Sequence, residues 1–137
     1  IGEFYLHRLG IDVVVANELI AKRAETHSFF YPSCKMINAD ITNKETQEKL
    51  IEFGKRHNVQ IVIATPPCQG LSSAGSNKTE SSLYSDPRNV LILSALNIVD
   101  ALRPDYFIIE NVPRFQQMIF PYEKAAGVTS IEIRRQL

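Results

Sequence analysis

The sequence has few cysteines, no excess of either charge and no long apolar run. Its two cysteines, Cys34 and Cys68, provide no disulfide framework and indicate a reducing compartment. No apolar run approaches the ~20 residues that span a bilayer, which excludes a transmembrane segment. Fifteen basic residues balance fifteen acidic ones. This zero net charge gives no support to nucleic-acid binding, although a local basic patch could be compensated elsewhere.

Metal-ligand spacing is missing as well. The three histidines, His7, His27 and His57, fall in predicted helices at no metal-like spacing, and no cysteine–histidine cluster has the spacing of a zinc site. The first ten residues lack the basic start of a signal peptide and already carry Glu3, and the chain does not begin with methionine. We therefore expect no bound metal, no secretion signal and a chain that is part of a longer protein.

The remaining composition is that of a globular domain, with 45% hydrophobic and 22% charged residues. Short β-branched runs alternate with longer amphipathic ones, and Gly10 suits the end of the first helix. Thr42 and Glu45 match a capping box, in which each side chain satisfies a backbone donor of the other residue. The predicted strands are 11–16, 35–39, 59–64 and 106–109, and the predicted helices are 1–9, 19–30, 43–57 and 87–102. The last of these helices has Asp86 as its predicted N-cap and Pro87 at its first position. Residues 65–86 are a predicted loop, and 120–137 receives no element.

Strands that alternate with helices favour an α/β domain, with a parallel sheet and helices on both faces. Ligands of such sheets bind beyond the carboxyl ends of the strands. The residues directly after the four predicted strands are Asn17-Glu18, Asp40, Thr65 to Cys68, and Glu110-Asn111. Three carboxylates and one thiol are therefore expected along one edge of the sheet.

Cys68 and Glu110 have side chains that could carry covalent and acid–base chemistry. Cys68 follows two prolines, which stiffen the approach to its thiol, and chemistry would need the thiolate. The alternative is a buried structural cysteine, which is the interpretation that we favour for Cys34. Glu110 ends an apolar run, where loss of hydration would favour the protonated form of a general acid. The alternative is a solvated glutamate at the end of a strand.

Glu18 and Asp40 suit the binding of a nucleotide. Glu18 stands where a nucleotide-binding sheet places the acceptor for the ribose hydroxyls, although a solvated or helix-capping role fits as well. Asp40 could accept a hydrogen bond from an exocyclic amine, or it could cap the helix led by Thr42. The residues alone leave these alternatives open.

Five segments resemble motifs of the DNA cytosine-5 methyltransferase family and occur in the order of that family. Residues 65–72 (TPPCQGLS) resemble its Pro-Cys-Gln nucleophile motif, and residues 107–112 (FIIENV) resemble its Glu-Asn-Val motif. Residues 86–91 (DPRNVL) resemble the motif between these two. The segments Ala16-Asn17-Glu18 and Ala39-Asp40-Ile41 resemble the two motifs that hold the methyl donor. The resemblance covers roughly residues 1–121.

The resemblance implies a covalent mechanism with S-adenosylmethionine as the cofactor. Cys68 would attack C6 of a flipped-out cytosine, and Glu110 would protonate N3, so that C5 accepts the methyl group. The residues that it places around the cofactor are Gly2, Glu18, Leu19, Asp40, Ile41, Pro66 and Leu91. The residues that it places near DNA are Gln69, Ser72, Arg88 and Asn111, of which Asn111 would brace the active-site turn.

The implied fold is a Rossmann-like S-adenosylmethionine-dependent α/β methyltransferase fold, mostly parallel, with helices on both faces and truncated at both ends. Residues 1–121 would form part of the catalytic domain and 122–137 an unassigned tail, and the target-recognition domain would be absent. The implied partner is double-stranded DNA, bound through a full-length monomer in the cytoplasm or nucleoid of a bacterium, without metal or membrane. On its own, the chain is expected to bind cofactor weakly and DNA poorly. The alternatives are a tRNA cytosine-5 methyltransferase and a catalytically silent methyltransferase-like binding subunit.

Overall fold

The computed structural model describes residues 5–67, 91–113, 115, 119–124 and 127–132. The chain divides into two compact units, residues 1–61 with 97–106 and residues 62–96 with 107–137. Strands and helices alternate in the predicted order, which confirms the α/β class. The described elements are β1 (Val15–Asn17), α1 (Ala21–Phe30), β2 (Lys35–Ile37), α2 (Lys44–Arg56), β3 (Ile61–Ala64), α3 (Leu91–Leu102) and β4 (Tyr106–Ile109). None of the helices described is long and apolar enough to cross a membrane.

In the first unit, β1 and β2 form a parallel pair, with Val15 opposite Lys35 and Asn17 opposite Ile37. Helix α1 contacts β2, and α2 contacts β1. Strand β1 is shorter than the β-branched run that predicted it. Its ladder starts where the Lys35 N–H donates to the Val14 carbonyl at 2.9 Å, because a strand extends only as far as a neighbour pairs with it.

The predicted capping box at the start of α2 is wrong. The N-cap is Asn43, whose side-chain oxygen accepts from the Glu45 N–H at 3.0 Å. The Thr42 hydroxyl instead donates to the Asp40 carboxylate at 2.8 Å, and the Glu45 carboxylate pairs with Lys49 at 2.7 Å. Asparagine caps helices as well as threonine does, and the nearby Asp40 carboxylate offers the Thr42 hydroxyl a charged acceptor.

The first predicted helix is described in part, and that part is a single 3-10 turn over Leu6–Leu9 rather than an α-helix. Gly10 ends this turn with a φ of 72°, a left-handed conformation that glycine adopts without steric cost. The predicted role of Gly10 at the end of this element is therefore confirmed.

A glycine also permits a close approach of two helices in the first unit. A Cβ placed on Gly54 of α2 would lie 2.9 Å from a terminal methyl carbon of Leu102, at the end of α3. The absence of a side chain at Gly54 therefore makes room for the Leu102 side chain. After Leu102 the chain leaves the helix at Arg103, which has a left-handed φ of 52° and is followed by Pro104.

Strands β3 and β4 lie side by side. The Tyr106 N–H donates to the Gln60 carbonyl and the Glu110 N–H donates to the Ala64 carbonyl, both at 3.0 Å. The two bonds advance by four residues in the same direction along each strand, so the pair is parallel. In the second unit, a buried cluster of Ile92, Ala95 and Phe115 packs against Ala64, Leu93, Leu96, Phe107, Ile109 and Val112.

Residues 120–137, for which the sequence predicts no element, contain most of an antiparallel hairpin. Strand β5 (Ile119–Lys124) pairs with β6 (Gly127–Glu132), with Ile119 opposite Glu132 and Lys124 opposite Gly127. Pro121 lies within β5, and proline inside an apolar run argues against a strand. The β-branched residues of β6 are the feature of the sequence that could have predicted this hairpin.

Candidate active site

The segments that follow β1 and β2 are bonded to each other. The side-chain amide of Asn17 donates to the carbonyls of Ile37 and Ala39, both at 2.9 Å. The backbone N–H of Glu18 donates to the same Ile37 carbonyl at 3.3 Å. The expectation that these two strand ends meet is therefore confirmed for this pair.

Glu18 is half-buried beside this junction, and its contacts order the segment that leads into α1. One oxygen of its carboxylate accepts from the Ile20 N–H at 2.9 Å, just before the helix begins. The amide of Asn38 donates to the Glu18 carbonyl at 2.7 Å and to the Leu19 carbonyl at 3.0 Å. Leu19, the next residue along the chain, is 64% exposed.

Asp40 is held by the residues that follow it. Its Oδ1 accepts from both the N–H and the hydroxyl of Thr42, each at 2.8 Å. These two bonds, the backbone one first, hold the pKa of the Asp40 carboxyl below its usual value and favour its charged form. Ile41 is half-buried, and its carbonyl accepts from the side-chain amide of Gln47 at 2.9 Å. Asp40 therefore orders the turn before α2, whereas Asn43 caps the helix.

The segments after β3 and β4 are joined in a similar way in the second unit. The Glu110 N–H donates to the Ala64 carbonyl at 3.0 Å. One residue further on, the side-chain amide of Asn111 donates to the carbonyl of Pro66 at 3.1 Å. The Asn111 Oδ1 accepts from the Val112 N–H at 2.8 Å, which fixes the orientation of the amide. The bond to Pro66 is a direct contact that supports the bracing interpretation of Asn111.

The expectation that Glu110 loses its hydration is wrong in this structure, because its side chain is exposed. Side chains alternate between the two faces of a strand. Phe107 and Ile109 pack against the buried cluster, whereas Tyr106 and Ile108 are 66% and 50% exposed. Glu110 continues the exposed series, so its carboxylate stays in contact with solvent.

Two other apolar residues of the predicted cofactor pocket are half-buried in the second unit. Pro66 follows β3 by two residues and supplies the carbonyl that Asn111 binds. Leu91 is the first described residue of α3 and precedes the fully buried Ile92. Both positions therefore lie within two residues of the buried cluster or of a residue that packs against it, namely Ile92 and Ala64.

Comparison with known proteins identifies the family. Residues 2–121 match the family described as C-5 cytosine-specific DNA methylase. The chain belongs to this DNA methylase family. A type II methyltransferase of Avibacterium volantium is 44% identical over 113 residues, which cover 82% of this chain and 32% of that protein. A second type II methyltransferase, from Haemophilus parahaemolyticus, is 29% identical over 94% of this chain and 32% of its own length.

A mouse protein named DNA (cytosine-5)-methyltransferase 1 is 35% identical over 59% of this chain and 5% of its own length. The chain thus spans about a third of the length of the two bacterial relatives.

Part of the predicted site lies outside the described residues. These positions are Gly2, Cys68, Gln69, Ser72 and Arg88, together with the predicted helix start at Asp86-Pro87. The convergence of all four strand ends on one edge stays a prediction, because the contacts above join β1 to β2 and β3 to β4. Within the described ranges, no group of three or more histidine, cysteine or acidic residues could hold a metal ion.

The chain also has residues that order the backbone near the site and that the sequence pattern did not indicate. The side-chain amide of Asn38 holds the backbone at Glu18, and that of Gln47 holds the backbone at Ile41. Asn38 lies near the end of the predicted strand 35–39, and its residue type could have indicated this role, because asparagine side chains commonly bond to nearby backbone groups.

Proposed function

We propose that the protein to which this chain belongs transfers a methyl group from S-adenosylmethionine to C5 of cytosine in DNA. The observation that carries the proposal is the bond from Asn111 to the carbonyl of Pro66. It ties the segment of Glu110 to the segment that leads, two residues later, to Cys68. Membership of the cytosine-5 DNA methylase family supports the same chemistry. The fold proposed for the whole domain is Rossmann-like, with helices on both faces of the sheet.

In the proposed reaction, the Cys68 thiolate forms a bond from its sulfur to C6 of the cytosine ring. Glu110 donates a proton to N3 as the ring gains electrons, and the enamine that results is nucleophilic at C5. S-adenosylmethionine supplies the methyl group when it is bound. A base then removes the C5 proton, Glu110 recovers its proton from N3, and the bond from C6 to sulfur breaks. The cytosine must leave the base stack, because C6 is inaccessible in a duplex.

The ends of β1 and β2 fit the polar groups of this cofactor. Glu18 and Asp40 each have one carboxylate oxygen engaged by a nearby backbone N–H, from Ile20 and Thr42 respectively. A carboxylate has capacity for further bonds, so each can accept from a ligand while its first oxygen stays fixed. We assign the ribose hydroxyls to Glu18 and the adenine amine to Asp40.

Apolar contacts to the cofactor are proposed for the other residues of the pocket. Leu19 exposes its side chain beside Glu18, and Ile41 adjoins Asp40. The set that completes the pocket in this proposal is Leu19, Ile41, Pro66, Leu91 and Gly2.

The DNA contacts are proposed from the resemblance. Gln69 and Ser72 would contact DNA directly, and Arg88 would reach a phosphate. Asn111 would act on DNA indirectly, since its amide is already bonded to Pro66. The division into residues 1–121 and 122–137, the monomeric state and the bacterial cytoplasm or nucleoid as location are parts of the same proposal.

Covalent trapping tests this function. The full-length protein is incubated with S-adenosylmethionine and duplex DNA that contains 5-fluorocytosine, whose fluorine cannot be removed as a proton is. The expected result is a denaturation-resistant adduct that forms with the unmodified protein and with Cys34→Ala but not with Cys68→Ala. Cys34 is the matched control because it is the other cysteine of the chain.

Two outcomes overturn the proposal. An adduct on tRNA that contains 5-fluorocytosine, and none on DNA, favours the tRNA methyltransferase alternative. The absence of a Cys68-dependent adduct on either substrate, with a folded protein, favours a catalytically silent subunit.

A further inference from the structure

Two asparagines bridge the ends of β1 and β2 in opposite directions. Asn17 lies at the end of β1 and donates two hydrogen bonds to carbonyls at the end of β2. Asn38 directly follows β2 and donates two hydrogen bonds to carbonyls just after β1. Each side chain therefore holds the backbone that leads away from the other strand, and we name this pair the asparagine clamp.

The clamp acts where strand pairing has stopped. The ladder of β1 and β2 ends at Asn17 and Ile37, so the residues beyond it have no backbone partner strand in the described ranges. The clamp reaches one to two residues further, to the carbonyls of Ala39 on one side and Leu19 on the other. It therefore continues the junction with side-chain donors in place of the backbone ladder.

The position of Asn38 favours ordering of the backbone over a role in the core. Asn38 is exposed, so water could satisfy its amide without any protein contact. The amide instead bonds to two consecutive carbonyls, at 2.7 Å to Glu18 and 3.0 Å to Leu19. Two bonds from one planar amide to consecutive carbonyls restrict the backbone torsions between them. The exposed amide of Asn38 therefore fixes the backbone of the segment that carries the Glu18 side chain.

We propose that Asn17 and Asn38 are positioning residues that set the separation of the Glu18 and Asp40 carboxylates for the cofactor. The inference rests on the proposed function, because it takes these two carboxylates as the acceptors for ribose and adenine. Glu18 directly follows Asn17, and Asp40 lies two residues after Asn38. The clamp thus fixes the backbone next to both acceptors before a ligand arrives. Such preorganisation lowers the cost of binding.

Loss of the clamp should weaken the binding of the cofactor and leave the rate of the chemical step unchanged. Without the clamp, the two segments sample positions in which the carboxylates do not match the ligand, and the apparent dissociation constant rises in proportion. Once the ligand is bound at saturation, the chemical step proceeds at the second unit's residues, and its rate should not change.

The test uses the full-length protein and S-adenosylhomocysteine as the probe, with its dissociation constant measured by titration calorimetry. Asn38→Asp is nearly isosteric and places a carboxylate against the two carbonyls, and Asn38→Ala removes the amide without adding charge. Each variant is expected to raise the dissociation constant about tenfold, as the loss of a pair of neutral hydrogen bonds predicts. Asn97→Asp is the matched control, since Asn97 is an exposed residue of α3.

Steady-state methylation kinetics give a readout that a general loss of structure would not reproduce. Both Asn38 variants should raise KM for S-adenosylmethionine, while kcat at saturation and KM for DNA stay within twofold of the unmodified protein. A fall in kcat and in the melting temperature without a selective change in KM for S-adenosylmethionine would show a purely structural role and overturn the proposal.

A Glu18→Ala variant separates this inference from the function on which it rests. If Glu18→Ala weakens S-adenosylhomocysteine binding while both Asn38 variants bind normally, the clamp proposal fails and the cofactor assignment stands. If neither Glu18→Ala nor the Asn38 variants change the dissociation constant, the cofactor assignment itself fails.

Discussion

The side-chain amide of Asn111 donates a 3.1 Å hydrogen bond to the carbonyl of Pro66 and so joins the segment after β4 to the segment after β3. The Val112 N–H holds the other end of the same amide at 2.8 Å. Asn111 has Glu110 directly before it, and Pro66 lies two residues before Cys68. One side chain therefore couples the positions of the two residues to which we assign the chemistry.

Asn111→Asp should slow methylation while cofactor binding is retained. A carboxylate keeps the size of the side chain but replaces the donor to the Pro66 carbonyl with a repelling oxygen, so the segment before Cys68 loses its brace. We expect kcat to fall about 10- to 100-fold, which is the scale of a small misplacement of reacting groups. The measurement is single-turnover methylation by the full-length protein, with Asn97→Asp as the control. An unchanged rate with a normal adduct on 5-fluorocytosine DNA would rule out the bracing role.

Glu110→Gln should lower the rate of the chemical step and leave the fold intact. The backbone N–H of Glu110 makes the bond to Ala64, and the exposed side chain is free of the buried cluster, so the substitution removes the carboxyl acid alone. Loss of a general acid is expected to cost about 10²- to 10⁴-fold in kcat. Glu48→Gln, on the exposed face of α2, is the control for the loss of one negative charge. A variant that retains full activity would remove Glu110 from the mechanism.

The order and type of the main elements followed from the sequence because the strong signals are local. The β-branched runs before Asn17 and Thr65 and the apolar run before Glu110 each contain a strand. Parallel pairing then places residues that follow paired strands side by side, which is why the neighbouring ends of β1 and β2 could be predicted. The exposure of Glu110 could not be predicted, because four consecutive apolar residues do not show which face of β4 is buried.

The details of the site depended on competition between adjacent residues. Asp40, Thr42 and Asn43 are all able to cap a helix, and the sequence does not show which one takes which donor. In the structure, Thr42 serves Asp40 and Asn43 serves the helix. The same limit applies to Asn38, whose two acceptors lie 19 and 20 residues away along the chain.

Thr42→Val should raise the pKa of Asp40 part of the way back towards its usual value. The substitution removes the hydroxyl bond but keeps the backbone N–H bond, which is the larger of the two causes of the lowered pKa. A lowered pKa means that this interaction stabilises the folded state above the usual pKa of an aspartate and is lost as the pH falls through the folded value. NMR titration of the aspartate carboxyls in the full-length protein measures the shift, and Thr42→Ser should leave it in place. Identical titration of Asp40 in Thr42→Val would show that the hydroxyl bond has no effect.

Ile92→Ala should destabilise the protein more than a substitution on the open side of β4. The Ile92 side chain is fully buried in the cluster with Ala95 and Phe115 that packs under β4 and under Ala64 at the end of β3. Truncation of such a side chain costs about 2–5 kcal/mol, and Ile92→Val should cost about 0.5–1.5 kcal/mol.

The comparison variant is Ile108→Ala. Ile108 is 50% exposed, so its truncation should lower the free energy of unfolding less than Ile92→Ala does. Urea unfolding of the full-length protein measures the three free energies of unfolding. An equal loss in Ile92→Ala and Ile108→Ala would show that both faces of β4 are packed in the whole protein. Since the same cluster supports the segments of Pro66 and Asn111, Ile92→Ala should also reduce kcat more than it weakens cofactor binding.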